Sequence, residues 1–280
     1  MSKSSGEGER RGPLKKYRVP ALEKAIAILD LVASAERAYT VTGIHKQLNI
    51  SKSTVFAILN VLESHDFVRK DEKGSYTIGL RLYQLGMAYI SNNDMIKIAR
   101  PHLKALMHKT GFTVHLGILD EGEILYVDKV EPDSFIKFST FPGMRSPIHI
   151  SSLGKAIAAF LEEDQLNRIV AEKGLGKYTP HTLTDPRKFK QSLEEIRQNG
   201  YALEDEEGEI GVRCIGAPVF QDESGHASAA VSIVGHTSTL TPDKFAMLGR
   251  MVKSTAKDIS KEMVMGGSAR SRPFSNISRA

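Results

Sequence analysis

Between residues 18 and 79 the apolar positions recur at helical spacing three times, then change to two short runs of strand character. Val19-Pro20 opens a helix with Leu22, Ile26, Leu29 and Val32 on one face and Ile28 and Leu31 beside it. Val41, Ile44 and Leu48 give the apolar face of a second helix. Asn49 and Ile50 break that pattern, and Ser51 can cap a third helix. There Val55, Ile58, Leu59 and Leu62 form one stripe, while Lys52, Ser53, Thr54, Phe56, Ala57 and Asn60 lie opposite. Phe67–Lys70 and Ser75–Ile78 read as strands around Asp71-Glu72-Lys73-Gly74, a hairpin with Gly at the turn. A helix, a tight turn and a second helix with a small-polar, basic start, followed by a basic hairpin, predict a winged helix-turn-helix over 18–79. Such a unit seats its recognition helix in the major groove of duplex DNA. A helical hairpin that only packs is the alternative.

The next stretch, 80–110, is nearly continuous helix interrupted at Ser91-Asn92-Asn93. That interruption predicts a boundary between a linker helix, 80–93, and a second domain, 94–265, whose first helix Asp94 would cap. From 112 onward strands alternate with helices. Thr113–Leu119 and Glu123–Val130 flank Asp120-Glu121-Gly122, Phe135–Ser139 is a third strand, and Cys214–Gln221 and Ala227–Val234 flank Asp222-Glu223-Ser224-Gly225. Helical patterns fall at 152–172 and 186–199, and a last helix opens at Thr241-Pro242-Asp243 with Phe245, Leu248, Val252 and Ile259 inward. The fold class expected is α+β: a winged helix-turn-helix joined by a linker helix to an antiparallel-sheet domain with helices around it. Residues 1–17 and 266–280 are low in apolar content and are expected to be disordered tails.

Composition sharpens this in three ways. A length of 280 residues fits two domains. No apolar run approaches the ~20 residues that cross a bilayer, and the charged, Gly/Ser-rich start has no apolar core of a secretory signal, so a cytoplasmic protein without a membrane partner is expected. The single cysteine, Cys214, excludes an intramolecular disulfide framework. Charge is unevenly spread: residues 1–90 carry 14 Lys and Arg against nine Asp and Glu, whereas 91–265 carry 21 against 24. The basic excess sits on the segment that would meet DNA, so binding should weaken steeply with salt.

Several motifs in order then resemble one family. Val19-Pro20-Ala21-Leu22-Glu23-Lys24-Ala25, Ser51-Lys52-Ser53-Thr54-Val55 and Tyr76-Thr77-Ile78-Gly79 are similar to the DNA-binding half of IclR-type bacterial transcriptional regulators. His149 through Ala156, Gly200-Tyr201-Ala202 through Glu207, and Gly211 through Val219 are similar to the other half. The resemblance covers roughly 19–262. It implies a winged-helix reader linked to a GAF-like effector domain, assembled as a homodimer or a dimer of dimers, whose operator affinity changes when a small metabolite binds. Repressor action is the expected sign, and the helix at 80–90 would transmit the change.

On the DNA side Ser51, Lys52, Ser53 and Thr54 sit where helix N–H groups and hydroxyls suit a phosphate. Ser53 and Thr54 can reach base edges, Phe56 can touch a thymine methyl, and Asn60 lies one turn on. Relatives often carry Arg near position 57, where this chain has Ala57, so specificity would come from Lys52, Phe56 or the wing residues Arg69, Lys70 and Lys73.

On the effector side Phe141 to Pro147 forms an irregular loop that includes Met144, and Ser152, Leu153 and Gly154 open a helix. The resemblance implies a pocket at Ser152, Leu153, Glu204, Cys214, Ser232 and Val234. The Ser152 hydroxyl and Leu153 N–H would hold a carboxylate, Cys214 and Ser232 would form a wall, and Glu204 would take a polar tip. Relatives often have Asp at 204 and some have Ser at 234. A sugar acid or an aromatic acid is expected. Singly, each residue has a plainer reading: Cys214 as a small core residue, Ser232 as a backbone partner, and Glu204 as part of a solvated acidic run.

An enzyme is not expected. No nucleophile elbow, Walker loop, HExxH or CxxC occurs, His102 and His108 are spaced wrongly for one helical face, and neither cofactor nor metal is implied. Cys214 with His115, His149 or His226 as base is the thiol-enzyme alternative. A redox switch at Cys214 is the alternative within the regulator class.

Overall fold

A computed structural model describes residues 18–35, 37–222 and 225–267, so the expected disorder at 1–17 and beyond 267, and the turn residues Glu223 and Ser224, lie outside the described residues. The chain divides into two compact units that meet at Asn92/Asn93.

The first unit contains α1 (Pro20–Ala33), β1 (Tyr39–Thr40), α2 (Val41–Leu48), α3 (Lys52–Ser64), β2 (Val68–Lys70), β3 (Ser75–Ile78) and α4 (Leu80–Asn92). Ile28, Val32, Ile44, Val55, Leu59, Leu62, Val68 and Tyr76 make its core. The stripes read for α2 and α3 face this core, but in α1 the inward face is Ile28 and Val32, and Leu22 and Ile26, expected inward, are exposed. Asn49 adopts the left-handed conformation that ends α2, φ 53°. The His45 Nδ1 lies 2.7 Å from the Ile50 carbonyl and pins the turn between the two helices. The hairpin β2–β3 is joined by β1 in the order β1-β3-β2. No residue of α4 is buried. Its Leu80, Tyr83, Met87 and Ile90 are exposed and fall on one helical stripe.

The second unit contains α5 (Asp94–Thr110), β4 (Thr113–Asp120), β5 (Glu123–Val130), β6 (Arg145–Pro147), α6 (Ser152–Ala158), α7 (Glu163–Lys173), α8 (Pro186–Asn199), β7 (Ala202–Asp205), β8 (Val212–Phe220), β9 (Ala227–His236) and α9 (Phe245–Gly267). Six strands form an antiparallel sheet in the order β6-β5-β4-β9-β8-β7. Strand alternation splits its faces. Val114, Leu116, Ile215, Ala217, Val231 and Ile233 pack with α5 and α9. Ala202 and Ala230 pack with α6 and α8 around Phe189 and Leu193.

Five further expectations are corrected. Phe135–Ser139 is not a strand: Lys129 Nζ takes the Phe138 and Thr140 carbonyls at 2.8 and 2.7 Å, and β6 occupies the edge of β5. The helix at 152–172 is two helices, α6 and α7, because α6 is buried on every side and ends after two turns. Asn93, not Asp94, caps α5, its side chain accepting the Ile96 N–H at 3.3 Å. The acidic run from Glu204 is not a solvated loop: Ala202–Asp205 is the edge strand β7, and Glu204 is 2% exposed. The final helix also runs past the expected tail start to Gly267.

Candidate nucleic-acid interface and effector cavity

The start of α3 is shaped by its cap. Ser51 is the N-cap, and its hydroxyl accepts the Thr54 N–H at 3.3 Å and lies 2.8 Å from Thr54 Oγ1 and 3.2 Å from Ser53 Oγ. Ser51 is thus partly spent on the helix. Lys52, Ser53, Phe56, Ala57 and Asn60 are exposed, and Thr54 is half-buried. Lysine in a first helical turn opposes the helix dipole, so Lys52 adds nothing to the helix itself. On the wing, Asp71 accepts the backbone N–H groups of Lys73 and Ser75 at 2.9 and 2.8 Å, which shapes the tip and leaves Lys73 exposed. Lys70 stands over the Tyr76 ring at 5.8 Å. Arg69, the third basic residue of the wing, is also held within the protein. Its guanidinium grips Asp66 through Nε at 2.9 Å and Nη2 at 3.4 Å.

In the second unit a cavity of about 510 Å³ opens on the face of the sheet that carries α6. Register explains its wall. Glu204, Cys214 and Val234 are cross-strand neighbours on β7, β8 and β9, and Ser232 faces His115 on β4. All five line the cavity, together with Met144 from the preceding loop and Ser152 from α6. Leu153 and Gly154, expected to contact an effector, do not line it. Leu153 is a core residue. A Cβ on Gly216 would lie 2.7 Å from the Ser152 carbonyl oxygen and 3.1 Å from the Leu153 N, so strand β8 covers that N–H. A Cβ on Gly154 would lie 2.3 Å from the Ile148 carbonyl oxygen, so its glycine serves close packing. Ser151 is the cap of α6, accepting the Gly154 N–H at 3.4 Å. Ser152 Oγ is buried with no hydrogen-bond partner among the described residues.

Sequence reasoning missed His115, Tyr126, Ser146 and Tyr178 in the cavity wall. His115 Nε2 lies 2.8 Å from Thr140 Oγ1, and burial with Lys129 nearby holds its pKa down at about 3, so it is neutral. Burial pushes the Tyr126 phenol up to about 12. Glu204 is raised to about 7, chiefly by burial, even though its Oε1 accepts the N–H groups of Glu207 and Gly208 at 2.6 and 3.0 Å. Cys214 is half-buried and borders the cavity, and desolvation there, with Glu204 beside it, raises its pKa well above the ordinary thiol value. It is therefore a protonated, weakly reactive thiol at neutral pH.

A buried ion pair braces this wall. Lys155 Nζ meets both Glu207 carboxylate oxygens at 2.6 and 2.8 Å. Thr182 Oγ1 donates to the Glu207 carbonyl at 2.7 Å and Thr179 Oγ1 to the Glu206 carbonyl at 2.6 Å. The turn that holds Glu204 is thus fixed from α6 and from the segment after α7. No group of acidic, His and Cys side chains among the described residues is arranged to hold a metal ion, and none of their helices is long and apolar enough to cross a membrane.

Known proteins give the same two-part division. Residues 21–72 match the IclR helix-turn-helix domain, and 87–261 match the C-terminal part of the bacterial transcriptional regulator IclR. The chain is 36% identical over 261 residues to the HTH-type transcriptional repressor AllR of Escherichia coli K12, covering 91% of this chain and 96% of that protein. AllR of Salmonella typhimurium is 37% identical over the same span. The crystal structure of Thermotoga maritima IclR superposes with a TM-score of 0.72 at 35% identity, over 86% of this chain and 98% of that one. A more distant IclR homologue from Microbacterium hydrocarbonoxydans, complexed with 4-hydroxybenzoate, shares the fold with a TM-score of 0.75 at 18% identity, over 87% of this chain and 98% of that one. The chain belongs to the IclR family of bacterial transcriptional regulators.

Proposed function

We propose that the protein is a cytoplasmic repressor that reads its operator through α3 and the wing and releases or tightens on DNA when a small organic acid enters the cavity. The observation that carries the effector reading is the buried, unpartnered Ser152 hydroxyl at a preformed cavity; a buried polar group without a partner costs free energy that a ligand can recover. Two comparisons support it. The AllR relatives are repressors by name, and a homologue of the same fold carries 4-hydroxybenzoate. A sugar acid or an aromatic acid remains the effector class. The raised thiol pKa gives the redox alternative at Cys214 no support. Footprinting on DNA upstream of the protein's own gene tests the reading: a protected site that salt weakens steeply is expected, and uniform binding to all duplexes would refute it.

The repressor acts as a homodimer or dimer of dimers in this proposal. The exposed stripe Leu80, Tyr83, Met87 and Ile90 on α4 supports self-association, because contiguous apolar surface of this kind marks an interface. Tyr83→Asp with Met87→Asp should shift the sedimentation profile toward monomer. An unchanged oligomer would place the subunit contact elsewhere.

A further inference from the structure

The charges around the cavity balance in an unusual way for an acid-binding site. Carboxylates are ordinarily met by Arg or Lys. Here the buried cation behind the wall, Lys155, is already matched to Glu207 through both of that residue's oxygens. Arg145, at the rim, is joined to Asp120, and Glu123 to Lys173. His115 faces the cavity from β4, with Lys129 beside it, but Lys129 pairs with Glu131 and donates to loop carbonyls. Tyr126 on β5 and Cys214 on β8 are neutral donors. Asp205 and Glu206, next along the chain, face Arg213. Glu209 lines the cavity and is exposed to solvent. What remains inside is Glu204, 2% exposed and without a cation. An ionised Glu204 would leave net negative charge against an incoming carboxylate.

We propose that this cavity takes up its acid together with one proton, which resides on the Glu204 carboxyl and forms a carboxyl-to-carboxylate hydrogen bond where other sites use an ion pair. This rests on the organic-acid reading above. The step balances as Glu204 carboxylate plus a solvent proton plus the acid anion giving protonated Glu204 hydrogen-bonded to the anion, with no net change of charge other than that of the ligand and its proton. Glu204 can carry the proton because its Oε1 accepts two backbone N–H groups and its other side-chain partner is the neutral Cys214 thiol, so no cation holds the carboxyl in its ionised form. The nearby Ser152 hydroxyl supplies a second neutral donor. The carboxyl of Glu204 titrates near neutrality, so the linkage falls where the cell can use it.

The test is calorimetry of the full-length protein with 4-hydroxybenzoate, gluconate and pyruvate, each beside its uncharged amide, in buffers of different ionisation enthalpy at several pH values. An acid should bind with uptake of about one proton above neutrality, and its Kd should rise about tenfold per pH unit there, because the anion selects the protonated site. In Glu204→Gln, whose amide keeps both the acceptor and a donor, Kd should become flat with pH. Binding of an acid with no proton uptake and a flat Kd in the unaltered protein would overturn this inference and leave the acid-effector reading standing. Binding of the amides alone, or of no compound at any pH, would overturn both.

Discussion

Lys155→Met is expected to destabilise the second unit by about 3–5 kcal/mol, the range for removing one partner of a buried pair. The side chains of Lys155 and Glu207 are 3% and 11% exposed, so solvent cannot take over the lost contact. The loss should depend on pH in a defined direction. Burial already raises the Glu207 pKa against the pull of Lys155. Without the lysine it rises further, so the folded variant holds a proton that the unfolded chain releases. Stability is then retained below the unfolded carboxylate pKa and lost as pH rises toward the folded one. Urea unfolding at acid and alkaline pH should show the gap to the unaltered protein widening with pH. The double variant Lys155→Met with Glu207→Leu removes both charges and should recover most of the stability, since an apolar pair can replace a buried ion pair. A single variant with equal loss at every pH would mean that Glu207 is not the group left bare.

The second large effect concerns DNA. Replacing Lys52, Lys70 and Lys73 together by Ala should lower the slope of log affinity against log salt by about one per lysine, about three in all. The loss should be similar on every duplex, because phosphate contacts position and base contacts specify. Folding should change little: Lys52 opposes the dipole of α3, Lys73 lies on the exposed wing tip, and Lys70 gives up only its place over the Tyr76 ring. Arg69→Ala makes the contrast, with a smaller change of slope expected because its guanidinium is committed to Asp66. Salt titration of binding by fluorescence anisotropy reads both variants. A triple variant with the original slope would move the phosphate contacts off this face.

The helix-turn-helix was legible because each of its helices buries one stripe and exposes the rest, so periodicity reports the core. The hairpins β4–β5 and β8–β9 were legible from their turn residues and β-rich runs. Elements without such contrast were not. Strand β7 is four residues, Ala-Leu-Glu-Asp, whose acids look solvated although Glu204 points inward. Strand β6 is three residues with a proline, and β1 is two, both too short for a period. Helix α6 is buried all round, so it has no polar face to mark its end. The cavity divides in the same way. Ser152, Glu204, Cys214, Ser232 and Val234 were named through the family resemblance and Met144 from its loop, and they converge on one space, whereas Leu153 and Gly154 lie outside it. His115 and Tyr126 were not, because strand alternation cannot separate a side chain facing a cavity from one facing a core. Tyr178 comes from a segment without regular structure, where no pattern points anywhere. The Arg69–Asp66 pair was invisible because it depends on the bend between α3 and β2.

In the proposed repressor one acid, bound in the second unit, changes how tightly the first unit holds its operator. The direct measurement is a shift assay on DNA upstream of the protein's own gene, with and without sugar acids, aromatic acids and short keto acids, for the unaltered protein and for Ser152→Ala. One acid should change operator affinity by about 5–150-fold, the usual range of coupling between two sites, and Ser152→Ala should need a much higher concentration of that acid for the same change. Operator binding that no acid alters, or an acid response that Ser152→Ala leaves untouched, would refute control of the operator through this cavity.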